Sequence, residues 1–187
     1  MTRLEATIQA KNELALEELQ WIHRCRRGDE TAMGALIGKH RRRLVRVAAN
    51  VLRDPFEAED VTQEAFLKAF RELHKLRDDS AFSGYIYRIC VRLCMDRLRS
   101  KRVEAMVVDK PEASRGPQVE TQVVVENLLA ELTPELRATL VLREMEQMSY
   151  EEVADVMRVP VGTVRSRLHT ARERFRNLWI ASMAEIR

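Results

Sequence analysis

The chain has 187 residues, of which 45% are hydrophobic and 33% charged, and its formal net charge is +3. With only 6 Gly and 5 Pro, this composition excludes a disordered or fibrous protein and favours one or two small helical domains. No apolar run approaches the roughly 20 residues that span a bilayer, and no apolar stretch with a small-residue cleavage site opens the chain, so we expect a cytoplasmic protein.

The first 18 residues are predicted to be an N-terminal extension of amphipathic character. Apolar residues recur there at helical spacing, at Leu4, Ile8, Leu14 and the adjoining Leu19. A short helix is marginal in water unless it has a partner surface. The pattern therefore fits a frayed extension and a docked helix equally well.

Residues 19–102 show nearly continuous helical periodicity and predict a first domain that is a compact helical bundle. The periodicity breaks at Gly28, at Pro55 and around residues 78–80. Residues 20–102 carry 19 basic and 11 acidic side chains, so positive charge is concentrated in this domain. A basic surface of this kind is typical of a protein that contacts a polyanion.

Within this domain, residues 54–73 predict one helix. Its inward positions are expected to be Ala58, Val61, Ala65, Ala69 and Leu73. A polar and acidic group occupies its first turns: Glu59, Asp60, Gln63 and Glu64. Acidic side chains near a helix start are favoured by the helix dipole, and this effect alone accounts for them adequately.

Residues 82–102 predict the next helix, with one buried and one basic stripe. The buried stripe is Phe82, Ile86, Ile89, Cys90 and Leu93, and the opposite stripe is Arg88, Arg92, Met95 and Arg99. A basic stripe next to Tyr85 and Tyr87 suits single-stranded or melting DNA, because arginines follow phosphates and aromatic rings stack on unpaired bases. The alternative is that both tyrosines are core residues.

Residues 103–120 are predicted to be a flexible linker between two domains. This stretch loses helical periodicity and gathers turn formers around Pro111 and Gly116. Residues 121–187 then predict a second helical domain, in which Thr133 suits an N-cap and Pro134 the first helical position. The expected fold class is all-α, with two small helical domains joined by a flexible linker.

Residues 149–178 predict a helix-turn-helix unit within the second domain. Ser149 and Glu152 fit a capping box that starts its first helix. A turn must follow at residues 158–160, because Pro160 disfavours helical geometry in the residue before it. The stripe of the second helix that is predicted to face the core is Val164, Leu168, Ala171 and Phe175.

The second helix of this unit carries the candidate DNA-reading residues. A helix in the major groove points its outward side chains at base edges, while flanking arginines hold phosphates. The candidates are Arg158, Arg165, Ser166, Arg167, His169, Thr170, Arg172 and Arg176. An ordinary solvated basic helix is the alternative, and the preceding helix and tight turn disfavour it. Arg158 occupies a turn position that suits Gly, where a positive φ costs another residue on the order of 1 kcal/mol.

Three segments of the second domain resemble region four of the extracytoplasmic-function (ECF) sigma factors: LTPELR at 132–137, SYEEVA at 149–154 and PVGTVRSRLHTAR at 160–172. The resemblance implies that this domain reads the minus-35 promoter element, with contacts from Arg165, Ser166, His169 and Thr170. Thr170 stands where the family often has a basic residue. Together with Arg158, this departure leaves the promoter sequence open.

Residues 54–73 and 82–102 are similar to region two of the same family. The resemblance implies that the acidic helix docks on the beta-prime clamp of core RNA polymerase through Glu59, Asp60, Gln63 and Glu64. It further implies that residues 82–102 melt and capture the minus-10 element, although Arg92 stands where the family often has Asn. The implied function is a sigma factor that directs promoter-specific transcription initiation. Its implied partners are core RNA polymerase, including the beta flap, promoter DNA and an anti-sigma factor.

Other classes of protein fit the sequence less well. A repressor or response regulator would add a sensor or dimerisation domain, which residues 19–102 do not resemble. A nucleic-acid enzyme would need a phosphate-binding loop or metal ligands, and neither motif is found, so we expect no cofactor and no catalytic site. The cysteines Cys25, Cys90 and Cys94 lack metal spacing and are expected to be packing residues. A helical adaptor that binds only protein would not bind duplex DNA in a salt-sensitive way.

Overall fold

The computed structural model describes residue 13, residues 16–105 and residues 120–185, and every regular element in these ranges is a helix. Four main helices precede the gap: α1 (16–25), α2 (Glu30–Leu52), α3 (Pro55–Arg71) and α4 (Phe82–Ala105). Four follow it: α5 (Glu120–Ala130), α6 (Pro134–Leu140), α7 (Tyr150–Met157) and α8 (Val161–Glu185). Short 3-10 turns at Leu73–Lys75 and Asp79–Ala81 lead into α4, and a π-helical turn at Val141–Met145 extends α6. The predicted all-α fold class is confirmed.

Local caps account for the helix starts in the first part of the chain. The Asp29 carboxylate accepts a hydrogen bond of 3.1 Å from the Ala32 N–H at the start of α2. Asp54 caps α3 in the same way, because its Oδ1 accepts from the backbone N–H of Phe56 and of Glu57, each at 3.0 Å. These side chains satisfy backbone donors that have no partner within the helix.

Helices α1 to α4 form the first bundle, in which α2, α3 and α4 contact one another pairwise. The inward positions predicted for residues 54–73 are all buried, as are Phe82, Ile86, Ile89 and Cys90 of α4, while Leu93 is half-buried. Further residues that the periodicity did not assign are also buried, namely Thr62, Phe66, Tyr87, Val91 and Cys94. Each of these two helices is therefore buried over a wider arc than one stripe.

Helix α1 docks on α2, which settles part of the choice left open for the N-terminal extension. Ile22 is fully buried, and the Glu18 carboxylate lies 2.7 Å from His40 Nε2 and 2.6 Å from Lys39 Nζ. Burial opposes ionisation of Glu18, but the hydrogen bonds from His40 and Lys39 outweigh it and lower the pKa of this carboxyl. Residues 16–18 thus belong to a docked helix, whereas Leu4, Ile8 and Leu14 lie outside the described residues.

Helices α5 to α8 and the π turn form the second bundle. Within it Arg137 is 6% exposed, and its side chain donates to the carbonyls of Leu132 at 3.0 Å and Ala130 at 3.3 Å. Burial lowers the pKa of Arg137 to about 10, which leaves the guanidinium charged at neutral pH. Thr133 occupies the predicted N-cap before Pro134, although its side chain makes no capping hydrogen bond.

The two bundles pack directly against each other. Helix α4 contacts α7 and α6, and helix α2 contacts α6 and the π turn. Arg137 also reaches across this boundary and donates a hydrogen bond of 2.8 Å to the carbonyl of Val51 in α2. The flexible linker was predicted at residues 103–120, most of which lie outside the described residues.

No helix in residues 16–105 or 120–185 is long and apolar enough to cross a membrane.

Candidate nucleic-acid interface

The helix-turn-helix unit predicted at residues 149–178 is present as α7, a tight turn and α8. The Glu152 N–H donates to Ser149 Oγ at 3.1 Å, and the Ser149 N–H donates to Glu152 Oε2 at 2.6 Å, which confirms the capping box. Arg158 ends α7 with φ 53°, in the left-handed region, and its N–H donates back to carbonyls of α7. The positive φ expected for this residue is therefore confirmed.

Helix α8 turns its predicted apolar stripe to the core. Val164, Leu168 and Ala171 are at most 1% exposed, and Phe175 is half-buried against the same cluster. The helices α6 and α7 cover this stripe. The opposite side of α8 is consequently turned to solvent.

The solvent side of α8 carries most of the predicted DNA-reading residues. Arg165, Ser166 and His169 are exposed, while Arg167 and Thr170 are half-buried at the flanks. The contacts on this face are short-range: Ser166 Oγ donates to the Thr163 carbonyl at 3.0 Å, and His169 Nε2 lies 3.4 Å from Glu173. Arg165 can therefore extend from the fold toward a ligand. We call Arg165, Ser166, Arg167, His169 and Thr170 the reading face of α8.

Arg172 and Arg176 lie on the same side of α8 as Arg165, about one and two turns beyond His169, and line an apolar groove. The Arg172 guanidinium binds Glu144 Oε1 through Nε at 3.0 Å and through a terminal nitrogen at 2.6 Å. Hydrogen bonds with Glu144 and Tyr150 raise the pKa of Arg172. Both arginines were predicted to contact DNA from α8, and both are exposed. Arg172 forms its ion pair at the surface with Glu144, which lies 28 residues earlier in the chain.

The apolar groove of the second bundle is a feature that sequence reasoning missed. It is a cavity of about 510 Å³ lined by Val125, Leu129, Leu140, Val141, Glu144, Met145, Arg172, Phe175, Arg176 and Trp179. The rings of Phe175 and Trp179 stack with centroids 6.5 Å apart along one wall. The feature of the sequence that could have indicated this groove is Trp179, one helical turn after Phe175 and just beyond the predicted unit. A groove of this shape suits an apolar helix or strand of a partner.

The predicted basic stripe of α4 is brought together in one cleft. Arg88, Arg92, Met95 and Arg99 line a cavity of about 370 Å³, and we call this set the arginine face of α4. Its other wall is formed by Val156, Met157 and Arg158 of the second bundle. Arg92 and Arg99 are exposed, whereas Arg88 and Met95 are half-buried. The stripe therefore faces the second bundle on one side and solvent on the other.

The two tyrosines of α4 differ in their surroundings. Tyr85 is half-buried, with the Arg88 guanidinium 5.6 Å from its ring centroid. Tyr87 is 3% exposed and its hydroxyl donates to Glu146 Oε2 at 2.9 Å. Burial, together with the charge and hydrogen bond of Glu146, raises the pKa of Tyr87. For Tyr87 the sequence left two readings open, stacking on unpaired bases and a place in the core, and in this structure its side chain is buried.

The acidic face of α3 contains apolar side chains that the sequence analysis did not single out. Asp60, Gln63 and Glu64 are exposed, and Glu59 is half-buried. Phe56 is 85% exposed and Leu67 is 64% exposed, and both fall at helical spacing with Asp60 and Glu64. Helical periodicity at positions 56, 60, 63, 64 and 67 could have revealed them. We call these five residues, with Glu59, the docking face of α3.

Ion pairs hold two members of this face in place. Glu59 Oε2 lies 2.8 Å from an Arg41 nitrogen, and Glu64 Oε2 lies 3.1 Å from an Arg97 nitrogen. Asp60 and Gln63 project between them. Exposed apolar groups beside fixed charges are typical of a surface that binds another protein.

The described His, Cys, Asp and Glu side chains were compared with the geometry that a metal ion needs. No group of three or more of these described side chains is placed to hold a metal ion. The three cysteines are buried and unpaired, as expected for packing residues. The Cys94 thiol has a raised pKa, because it is hydrogen-bonded to Cys90 and buried, so this thiol resists ionisation.

Comparison with known proteins identifies two family segments in the chain. The family described as Sigma-70 region 2 matches residues 36–104, and the family described as Sigma-70, region 4 matches residues 122–175. The first segment contains α3 and α4, and the second contains α7 and most of α8. The docking face of α3, the arginine face of α4 and the reading face of α8 therefore all lie within family segments.

Full-length relatives match across both segments. The chain is 35% identical to the RNA polymerase sigma-H factor of Pseudomonas aeruginosa, over 84% of this chain and 91% of that protein. It is 33% identical to the ECF RNA polymerase sigma-E factor of Escherichia coli K12, over 83% of this chain and 91% of that protein. Among solved structures, the fold is similar to CnrH in complex with the cytosolic domain of CnrY, with a TM-score of 0.69, 24% identity, and coverage of 88% of this chain and 98% of that one. It is also similar to RpoE in complex with the anti-sigma factor NepR from Bartonella quintana, with a TM-score of 0.67, 20% identity, and coverage of 78% and 95%.

Proposed function

Because the chain belongs to the ECF sigma factors of the sigma-70 family, we propose that it binds core RNA polymerase and directs it to a specific set of promoters. In this proposal the chain supplies promoter recognition and polymerase docking, and the catalysis belongs to the polymerase. The reading face of α8 on a capped helix-turn-helix is the observation that carries the proposal.

The reading face of α8 would contact the minus-35 element. Exposed Arg165 is the best candidate for a base contact, since a guanidinium can donate two hydrogen bonds to the major-groove edge of guanine. Ser166 and His169 lie on the same exposed side, and Arg158 stands in the turn at the start of α8. A cationic turn beside a groove-binding helix suits a phosphate contact.

The arginine face of α4 would contact the minus-10 element. Arg92 and Arg99 are exposed and could follow the phosphates of one DNA strand, while Tyr85 offers a half-buried ring beside Arg88. Tyr87 would join this site in a conformation in which the second bundle has moved away from α4 and has released its bond with Glu146.

The docking face of α3 would bind the beta-prime clamp of the polymerase. Its support is the combination of exposed Phe56 and Leu67 with exposed carboxylates, because buried interface anchors are usually apolar while charges at the rim set orientation. The apolar groove beside Trp179 would hold an apolar element of the beta flap. Two docking surfaces on separate bundles would fix both parts of the chain on one enzyme.

An anti-sigma factor is the further partner we propose. Its support is family membership, together with two structural relatives that were solved in complex with CnrY and with NepR. Under this proposal the active protein works at the nucleoid. The inactive protein is bound by the anti-sigma factor, and it is held at the inner membrane if that anti-sigma factor is a membrane protein.

Replacing Arg165 with alanine tests the division of labour between the two bundles. We expect Arg165→Ala to reduce promoter-specific run-off transcription by about tenfold or more, since a good base contact contributes roughly 1–3 kcal/mol of discrimination. Its affinity for core polymerase should equal that of the unaltered chain. The matched control is Arg174→Ala, which removes the same side chain from an exposed position on another side of α8. Equal loss of polymerase binding in Arg165→Ala, or equal loss of transcription in the control, would refute the assignment.

A further inference from the structure

Arg26 lies just after α1, outside both family segments, and its side chain reaches the connection between α3 and α4. Its backbone is fixed locally, because its N–H still donates to the Ile22 carbonyl at 3.1 Å, and the chain then turns at Gly28 with φ 83°. A positive φ suits glycine, which has no Cβ to crowd the backbone. The end of α1 therefore holds the base of the Arg26 side chain in place.

The guanidinium of Arg26 makes four hydrogen bonds to this connection. Nε and one terminal nitrogen donate to Asp79 Oδ1 at 3.2 Å and 2.6 Å, and the same terminal nitrogen donates to the Leu76 carbonyl at 2.6 Å. The other terminal nitrogen donates to the Leu73 carbonyl at 3.0 Å. A guanidinium binds several acceptors at once because its five donors have a fixed planar arrangement, which a lysine ammonium cannot reproduce. Arg26 thus joins the 3-10 turn that follows α3 to the 3-10 turn that precedes α4.

The connection has few buried side chains of its own. Leu73 is buried and α4 begins at Phe82, but most residues between them are exposed. The Asp78 carboxylate organises its own turn, where it accepts from the Ser80 N–H at 2.9 Å. A segment with few buried apolar contacts opens easily unless polar contacts hold one conformation. The hydrogen bonds of Arg26 supply such contacts from another part of the fold.

The segment that Arg26 binds also carries a partner of Tyr85. Burial, together with the charge and hydrogen bond of Glu72, raises the pKa of Tyr85. The Arg88 guanidinium lies 5.6 Å from the centroid of the same ring. Glu72 directly precedes a residue whose carbonyl Arg26 binds, and α4 begins shortly after the carboxylate that Arg26 binds. A displaced connection would therefore move the ring of Tyr85 and the start of α4.

We propose that Arg26 is a positioning residue of the minus-10 site, which fixes the connection between α3 and α4 so that Tyr85 and Arg88 stand where an unpaired base and its phosphate bind. The inference rests on the proposed function, because the minus-10 role of α4 belongs to that proposal. Arg26 acts through these two residues and does not itself contact DNA. Recognition of the minus-10 element then depends on a side chain that lies before the family segment.

A fixed ring discriminates between bases better than a mobile one. Stacking alone tolerates every base, since each base has a π-face. Discrimination needs polar groups held at a set place relative to the ring. Loss of the Arg26 contacts should loosen that spacing, so altered minus-10 sequences should gain relative to the preferred one. Discrimination at the minus-35 element should not change, because the reading face of α8 belongs to the other bundle.

Arg26→Lys tests the geometry, because it keeps the positive charge and removes the planar set of donors. The chain has three tyrosines, so protein labelled with meta-fluorotyrosine gives three fluorine NMR resonances, each assigned by a Tyr→Phe variant. We expect Arg26→Lys to shift and broaden the Tyr85 resonance and to leave that of Tyr150 in place. The control Arg27→Ala removes an exposed neighbouring arginine and should leave all three resonances in place.

Asp79→Ala is a second variant that approaches the same contact from the other side. It removes the acceptor of two of the four bonds and leaves Arg26 intact, so it should shift the Tyr85 resonance in the same way. Helical circular dichroism checks that each variant is folded. If Arg26→Lys loses its helical signal, the result for Asp79→Ala decides.

Run-off transcription with core polymerase measures the consequence at the promoter. Each variant is tested on a promoter that the unaltered chain transcribes and on versions with single base changes in the minus-10 or the minus-35 element. The ratio of transcription from the preferred to the altered minus-10 sequence should fall several-fold in Arg26→Lys and in Asp79→Ala, with the minus-35 ratio unchanged. Arg27→Ala should keep both ratios. A merely structural role would lower transcription from all promoters equally and change neither ratio.

The proposal is overturned if the folded variants keep the Tyr85 resonance in place, or if they shift it and keep the minus-10 ratio of the unaltered chain. An equal fall of the ratio in Arg27→Ala would also overturn it. Failure of the unaltered chain to direct transcription from any promoter would refute the proposed function and this inference with it. Normal transcription with an unchanged minus-10 ratio in Arg26→Lys and Asp79→Ala would refute the role of Arg26 alone.

Discussion

Arg158 adopts a backbone conformation that its residue type disfavours, at a position in the proposed DNA-binding unit. Its φ of 53° lies in the left-handed region, where the Cβ of any residue except Gly is crowded. The residue also begins the turn into the reading helix and lines the cleft beside α4. In the proposed DNA complex a phosphate contact of Arg158 would offset the strain, which would account for an arginine where glycine fits the backbone better.

Replacing Arg158 with glycine should therefore change stability and DNA binding in opposite directions. We expect Arg158→Gly to raise the free energy of unfolding by up to about 1 kcal/mol, measured by denaturant titration. Affinity for promoter DNA in the polymerase complex should fall, and the slope of log affinity against log salt should shrink by about 1.

The matched control for this change is Arg53→Gly. Arg53 ends α2 with φ 62°, so it has the same backbone geometry but lies outside the DNA-binding unit. The control should be stabilised to a similar degree without any change in the salt slope. An unaltered slope in Arg158→Gly would show that Arg158 makes no phosphate contact.

Sequence reasoning succeeds at residues whose conformation depends on near neighbours. The capping box of Ser149 and Glu152 and the left-handed Arg158 both follow from contacts within four residues. The ion pair of Arg172 with Glu144 could not be predicted, because the two residues are remote in sequence and no local rule pairs them. For the same reason the sequence could not decide between the two readings of Tyr87, since its hydrogen-bond partner lies 59 residues away.

At the scale of elements, the helix α3 combines an inward apolar stripe with an outward face of mixed character. Its inward residues follow from the 3.6-residue period and could be predicted individually. Its exposed apolar residues Phe56 and Leu67 were not predicted, because periodicity identifies buried positions and makes no statement about apolar residues outside the stripe. A role of these two side chains in protein binding can be proposed only when their exposure is known.

Removing these apolar groups tests the docking face of α3. We expect Phe56→Ser and Leu67→Ser each to weaken binding to core polymerase by about tenfold, since apolar anchors at an interface typically contribute 1–2 kcal/mol or more. Thermal stability should change little, because both side chains are already exposed.

Val103→Ser supplies the control for these variants, since Val103 is 59% exposed on α4 and is assigned to no surface. Binding is measured by titrating labelled protein with core polymerase. Unchanged affinity in both α3 variants would exclude this face from polymerase binding.

The irregular elements could not be predicted from the periodicity of the sequence. A π-helical turn at Val141–Met145 follows α6, and Gln147 just beyond it has φ 56°. A π turn has one more residue per turn than an α-helix and leaves no clear mark in an apolar pattern. This irregular stretch carries Glu146, which makes the contacts with the first bundle.

For the whole molecule, the number and class of the two helical units could be read from the chain, but their packing could not. Two basic surfaces separated by a turn-rich stretch predicted two units and said nothing about contact between them. The contact includes the pair of Arg46 and Glu146, which are 100 residues apart, and the bond from Arg137 to Val51, 86 residues apart. Pairing over such a separation is a tertiary property that composition and periodicity do not encode.

The central claim, that this chain selects transcription start sites, is tested most directly by reconstitution. Purified core RNA polymerase is incubated with a library of genomic DNA fragments, with and without the chain, and the 5′ ends of the transcripts are sequenced. The account predicts new start sites that appear only with the chain and that share two upstream sequence elements at a fixed spacing. A set of 5′ ends that is identical with and without the chain would contradict it.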